Sequence, residues 1–113
     1  MNIIVHGSIA YDRIMNYPGY FQDHILPDKI HNINVSFYIE KVTEMRGGTG
    51  GNIVYNLALL EEKPVIITNV GKDADSYLSF LYGMGIDTTH VGFHDNELTA
   101  GATIITDRAN NQI

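Results

Sequence analysis

Six residues, Gly47-Gly48-Thr49-Gly50-Gly51-Asn52, place four glycines and an asparagine directly before a segment with helical periodicity. Glycine reaches positive φ and lets another group approach the backbone closely. The first N–H groups of a following helix lack intrahelical partners and favour an anion or a polarised hydroxyl. The pattern therefore predicts a binding turn, with a flexible helix-capping connector as the plain alternative. It is neither of the common phosphate cradles. Counted from Gly48, a dinucleotide fingerprint finds Gly50 at its third place but Ile53 at its sixth, and no Gly-Lys-Ser/Thr triplet supplies a Walker A loop.

Other chemistry is sparse. Cysteine is absent, which removes disulfides and thiol catalysis. His90 and His94 have a spacing found in zinc sites, but no nearby second ligand pair accompanies them, so no metal site is expected. Asp73 and Asp75 suit a turn and a helix cap better than acid–base work. The net charge of −6 and the scattered basic residues (Arg13, Lys29, Lys41, Arg46, Lys63, Lys72, Arg108) argue against a nucleic-acid partner. No run has the length needed to span a membrane. The start, Met1-Asn2-Ile3-Ile4-Val5-His6-Gly7, lacks a basic n-region and reads as a strand rather than a signal peptide, which suits a cytoplasmic protein.

The elements that must position the glycine turn follow from periodicity. Ile3-Ile4-Val5 and Val65-Ile66-Ile67 read as fully buried strands. Residues 32–41 alternate, with Ile33, Val35, Phe37 and Ile39 on one face, and predict a half-buried strand. Tyr11–Gln22 is rich in aromatics, with a turn at Pro18-Gly19. Ile53, Leu57 and Leu60 predict the buried face of a helix over Asn52–Glu62, broken by Pro64. Asp75 is the expected N-cap of a second helix with the stripe Tyr77, Phe80, Leu81 and Met84, closed by Gly83 and Gly85. Val91-Gly92-Phe93 and Ala102–Thr106 are further strands, and Asp107–Asn111 is a turn. Alternating strands and helices argue for an α/β fold with a mostly parallel sheet and a small antiparallel piece near Val35.

Gly7-Ser8 with Asp12 after the first strand, Arg46-Gly47-Gly48 through Asn52 opening a helix, and Gly71 with Asp73 after the next strand together resemble the PfkB/ribokinase family of small-molecule kinases. With Phe21 and Val35-Ser36-Phe37 added, the pattern is most similar to bacterial adenosine kinases and related nucleoside or sugar kinases. The family's usual glycine at the end of the helix is replaced here by Glu61-Glu62. The resemblance implies a ribokinase-like fold with helices on both sheet faces and a small antiparallel lid, residues 1–113 being an incomplete N-terminal part with lid strands around 14–46.

It also implies the activity: ATP-dependent phosphorylation of a hydroxyl on a nucleoside or sugar, with ATP and Mg²⁺ used by the complete enzyme and neither bound by this chain alone. Asp12 would accept hydrogen bonds from ribose hydroxyls, since an ionised carboxylate is acceptor-only and can bridge two neighbours. Gly48 and Asn52, with Thr49 beside them, would hold the sugar. Ser8 and Ser36 would lie near the substrate, and Phe37 would offer an aromatic face to a base or sugar. The catalytic aspartate and anion hole belong to a C-terminal segment of the Asp-Thr-x-Gly-Ala-Gly-Asp type that these residues do not contain. The expectation is an inactive acceptor-binding part that pairs with a second copy through its lid strands, the rival being a non-catalytic binding or dimerisation module left by truncation.

Overall fold

The computed structural model describes residues 2–113; Met1, part of the N-terminal strand reading, lies outside the described residues. Three apolar runs become parallel strands: β1 (Ile4–His6), β4 (Val65–Gly71) and β5 (Val91–His94). Their order is β1-β4-β5, with Val5 opposite Ile66 and Val70 opposite Phe93. Parallel neighbours need long crossovers, and the helices α1 (Thr49–Leu59) and α2 (Asp75–Gly83) fall in those crossovers.

The chain divides into two compact units. One holds residues up to Tyr11 together with Met45–Ala102; the other holds Asp12–Glu44 and Thr103–Ile113. In the first unit, Val5, Ile9, Val54, Ile66, Val70, Ala74, Tyr77, Leu81 and Ile86 form one buried cluster. Successive strand residues point to opposite faces, and both helices add their buried side chains to the Val5–Ile66–Val70 side. Ile4 and Ile67, on the alternate positions, are 64% and 41% exposed. The two runs read as fully buried strands are thus buried on one face only among the described residues.

Helix α1 departs from its predicted register. It begins at Thr49 rather than Asn52, and it buries Gly50, Gly51 and Val54. Of the expected face, Leu57 packs half-buried against the core, while Ile53 and Leu60 are exposed. The helix presents its side-chain-free surface inward because glycines allow a closer approach than leucines would. Its C-terminus closes with Glu61 N–H donating to Ala58 O and Glu62 N–H to Leu57 O, both at 3.0 Å. This paired pattern requires a left-handed residue after the cap, and Glu61 occupies it at φ 66°. Helix α2 ends the same way, with Gly85 at φ 84° and Ile86 N–H donating to Leu81 O. Its stripe is as expected, Tyr77 and Leu81 being buried. The N-cap, however, is Ala74, which makes no side-chain cap; Asp75 is the first helical residue, where a carboxylate suits the helix dipole.

A second sheet has the order β3-β2-β6, from β2 (Ala10–Asn16), β3 (Lys41–Gly47) and β6 (Ala100–Thr106). The division between the units passes through all three strands. The strand predicted over residues 32–41 is not formed: 33–39 has no ladder, and β3 begins only at Lys41. The alternation holds from Val35 on, with Val35, Phe37 and Ile39 half-buried and Ser36, Tyr38 and Glu40 exposed, but Ile33 of the expected face is 56% exposed. What holds the segment is a set of side-chain contacts, with Glu40 N–H donating to Asn16 O at its end. The second unit is organised around rings. Phe37 lies 5.0 Å from Tyr17 and 5.2 Å from Phe21 between centroids, and edge-on to His24. Tyr17 also hydrogen-bonds His24 through its hydroxyl. After β6 the chain turns at Asp107–Asn111 and pairs back on itself through Ile105 and Ile113.

Candidate functional site

The glycine turn is built against the loop that leaves β1. Gly48 adopts φ 89° and ψ 142°, a backbone conformation that residues with a Cβ avoid. A Cβ placed there would lie 2.5 Å from the Ser8 carbonyl oxygen and 2.8 Å from Ala10 N. Gly7 and Gly50 touch in the same manner, since a Cβ on Gly50 would stand 2.6 Å from the Gly7 carbonyl carbon. Ser8 then serves the first turn of α1 twice. Its Oγ accepts from Thr49 N–H at 3.1 Å, and its carbonyl accepts from Gly51 N–H at 3.0 Å. The helix start expected to be open to an anion is therefore largely satisfied from within the chain. Ser8 keeps its hydroxyl proton as a donor, and the side chains of Ser8, Thr49 and Asn52 are exposed.

The structure brings Ser8, Gly48, Thr49 and Asn52 together in the first unit. Asp12, Ser36 and Phe37 belong to the second. Asp12 sits on β2, half-buried, while its neighbour Arg13 is engaged by Glu44 at 3.1 Å. Among the described residues the Asp12 carboxylate has no hydrogen-bond or ion-pair partner, which leaves its lone pairs available. Ser36 is exposed and Phe37 half-buried in the ring cluster. His94, weighed above as a metal ligand, hydrogen-bonds the Asn69 side chain at 3.1 Å.

Three supporting residues escaped the sequence reading. Tyr77, read as part of an apolar stripe, donates its hydroxyl to the Gly47 carbonyl at 2.7 Å and so ties α2 to the glycine turn. A tyrosine in a buried stripe carries a hydroxyl that needs a partner, and that was the available signal. Thr99 accepts from Gly71 N–H through its hydroxyl and donates its own N–H to Asp73 at 2.7 Å. These bonds from Thr99, backbone first and then side chain, hold the Asp73 carboxyl below its ordinary value. Gly71 is needed because a Cβ there would meet Leu98 C at 2.3 Å.

The third is Asp107, buried within what was read as a plain turn. Burial pushes its carboxyl up, but hydrogen bonds from Phe21 N–H, from the Asn111 side chain and backbone, and from Ala109 N–H outweigh it. The net shift is below the ordinary carboxylate value.

A parallel α/β sheet with a glycine-rich turn opening its first helix, and a separate small sheet, defines a ribokinase-like fold. A family model described as pfkB family carbohydrate kinase matches residues 3–113, and the chain belongs to that family. Among solved structures it is similar to the nucleoside kinase of Burkholderia thailandensis determined with inosine: 37% identity, TM-score 0.78, covering 100% of this chain and 35% of that one. It is also similar to the nucleoside kinase of Methanocaldococcus jannaschii, described as an archaeal member of the ribokinase family, at 26% identity and TM-score 0.82, covering 99% and 35%. The ribokinase of Cryptococcus neoformans var. grubii, solved with ADP, shares the fold at 19% identity and TM-score 0.80, covering 99% and 32%. The chain thus spans about a third of the length of these relatives.

Proposed function

We propose that these residues form the acceptor-binding part of a kinase that transfers the γ-phosphoryl group of ATP to a hydroxyl of a nucleoside. The observation that carries this reading is the 37% identity, over the whole chain, to a nucleoside kinase whose structure was determined with inosine. A purine ribonucleoside such as inosine or adenosine is the proposed acceptor, with a free sugar as the second choice. Ser8, Asp12, Ser36, Phe37, Gly48, Thr49 and Asn52 are the proposed contacts. Asp12 accepts hydrogen bonds from adjacent ribose hydroxyls, Asn52 and Ser8 donate to sugar oxygens, and Phe37 offers a ring face.

Positioning is what this part contributes. Holding the acceptor hydroxyl in place lowers the entropic part of the barrier to in-line transfer. The N–H groups of Thr49 and Gly51, which could otherwise have met a phosphate, already donate to Ser8. Donor binding and the base that takes the hydroxyl proton are assigned to the remainder of a complete kinase. A second copy is proposed to pair along β3, an outer strand of its sheet with exposed Val42 and Met45. No helix among the described residues is long and apolar enough to cross a membrane, and the cytoplasm is the proposed compartment.

The test is Asp12→Asn in the complete polypeptide that carries these residues. Loss of a charged acceptor of ligand hydrogen bonds is worth on the order of 2–3 kcal/mol. The KM for inosine should rise about 30- to 150-fold with the KM for ATP nearly unchanged. Unchanged inosine kinetics would remove Asp12 from the acceptor site. The 113 residues alone should form no ADP above background with any nucleoside or sugar.

A further inference from the structure

We propose that Asp107 is a positioning residue for the acceptor, fixing the ring of Phe37 through the backbone of Phe21; the proposal rests on the assignment of Phe37 to the acceptor site. The segment that carries Phe37 has no strand ladder, so the ring is placed by what packs against it. The closest of those neighbours are Tyr17 and Phe21. Phe21 is buried and opens a short 3₁₀ turn whose N-cap, Tyr20, makes no side-chain cap. Its N–H would be an orphan donor there. Asp107 Oδ2 accepts it at 3.0 Å across 86 positions of sequence.

The rest of the Asp107 carboxylate is equally committed. Oδ2 also accepts from Asn111 Nδ2 at 3.2 Å, while Oδ1 accepts from Ala109 N–H at 3.0 Å and Asn111 N–H at 2.9 Å. An ionised carboxylate has about four lone-pair sites, and all are used. Two backbone bonds at 2.9 Å, Tyr17 N–H to Thr106 O and Arg108 N–H to Gly19 O, lay the two segments side by side. Asp107 thereby sets where Phe21 sits, and Phe21 with its stacked partner Tyr17 sets where Phe37 sits. Every one of these contacts lies within the second unit.

The experiment compares Asp107→Asn, Phe21→Leu and Phe37→Ala with the unaltered complete polypeptide, using inosine and ATP as the varied substrates. Asp107→Asn keeps the shape but turns one accepting oxygen into an NH₂ that must face an N–H. The inosine KM is expected to rise several-fold and at most about tenfold, since the lost bond is internal to the protein and only the part of its worth needed to reseat the Phe37 ring appears in acceptor binding, with the ATP KM and kcat unchanged within about twofold. A fall in kcat with both KM values unmoved is the mark of a smaller folded fraction alone and overturns the proposal. Should Asp107→Asn fail to fold, Phe21→Leu, which keeps the N–H bond and removes the ring, must raise the inosine KM; no rise overturns the route through Phe21. If Phe37→Ala leaves the inosine KM unmoved, the assignment of Phe37 itself fails. If Phe37→Ala raises it and Asp107→Asn does not, the positioning role alone fails.

Discussion

The two units solve the same problem, holding a few polar groups still, with different materials. In the first, backbone packs on backbone. Gly7 meets Gly50, Gly48 meets Ser8, and the helix they open is tied down by Ser8 and Tyr77. In the second, rings pack on rings, and a single buried carboxylate with four donors organises the cluster. Backbone contact leaves no room for adjustment, because a Cβ has nowhere to go. Ring contact leaves some, because side chains can change rotamer. The glycine turn should therefore respond to substitution sharply and through stability, and the aromatic cluster more gently and through affinity.

The largest effect expected from this contrast is at Gly48. Gly48→Val forces a Cβ into a positive-φ residue and against the Ser8 carbonyl. Backbone strain of this kind costs about 1–3 kcal/mol by itself, and overpacking adds to it. Chemical denaturation should show a loss of at least about 2 kcal/mol together with lost inosine binding. A variant as stable as the parent would mean that the turn is looser than the backbone contacts imply.

The smallest effect is a gain. Both helices end in the same hydrogen-bond pattern, but α1 places Glu61 where α2 places Gly85. A residue with a Cβ in this conformation is less stable than glycine by roughly 1 kcal/mol. Glu61→Gly should raise stability by up to about that amount without touching acceptor affinity. A loss of stability would show that the Glu61 side chain makes a compensating contact.

The same contrast explains what was legible in the sequence. The first unit was readable because its signals are local: apolar runs gave the parallel strands, the Tyr77–Leu81 stripe gave α2, and the glycine motif gave the turn. The face of α1 was legible only in part: Leu57 packs inward as expected, but Ile53 and Leu60 were assigned inward where Gly50 and Gly51 pack closer. The second unit was less readable because its order depends on contacts far apart in sequence. β2 hides at the start of the aromatic-rich stretch Tyr11–Gln22, and residues 35–39 alternate without pairing. Asp107 looks like any turn residue until its bond to Phe21 is seen. Of the candidate site, Ser8 and the glycine turn were visible as a motif, but the capping of Thr49 by Ser8 was not.

The account stands on the acceptor being held by Asp12 and the glycine turn. The direct measurement is an inosine titration of the ¹⁵N-labelled complete polypeptide, following the backbone amides of Asp12, Thr49 and Asn52. The account predicts saturable shifts at all three, their midpoint moved to at least about 30-fold higher inosine in Asp12→Asn while the spectrum of the folded protein is otherwise kept. Amides that stay unmoved at saturating inosine, in a protein that remains folded, would contradict it.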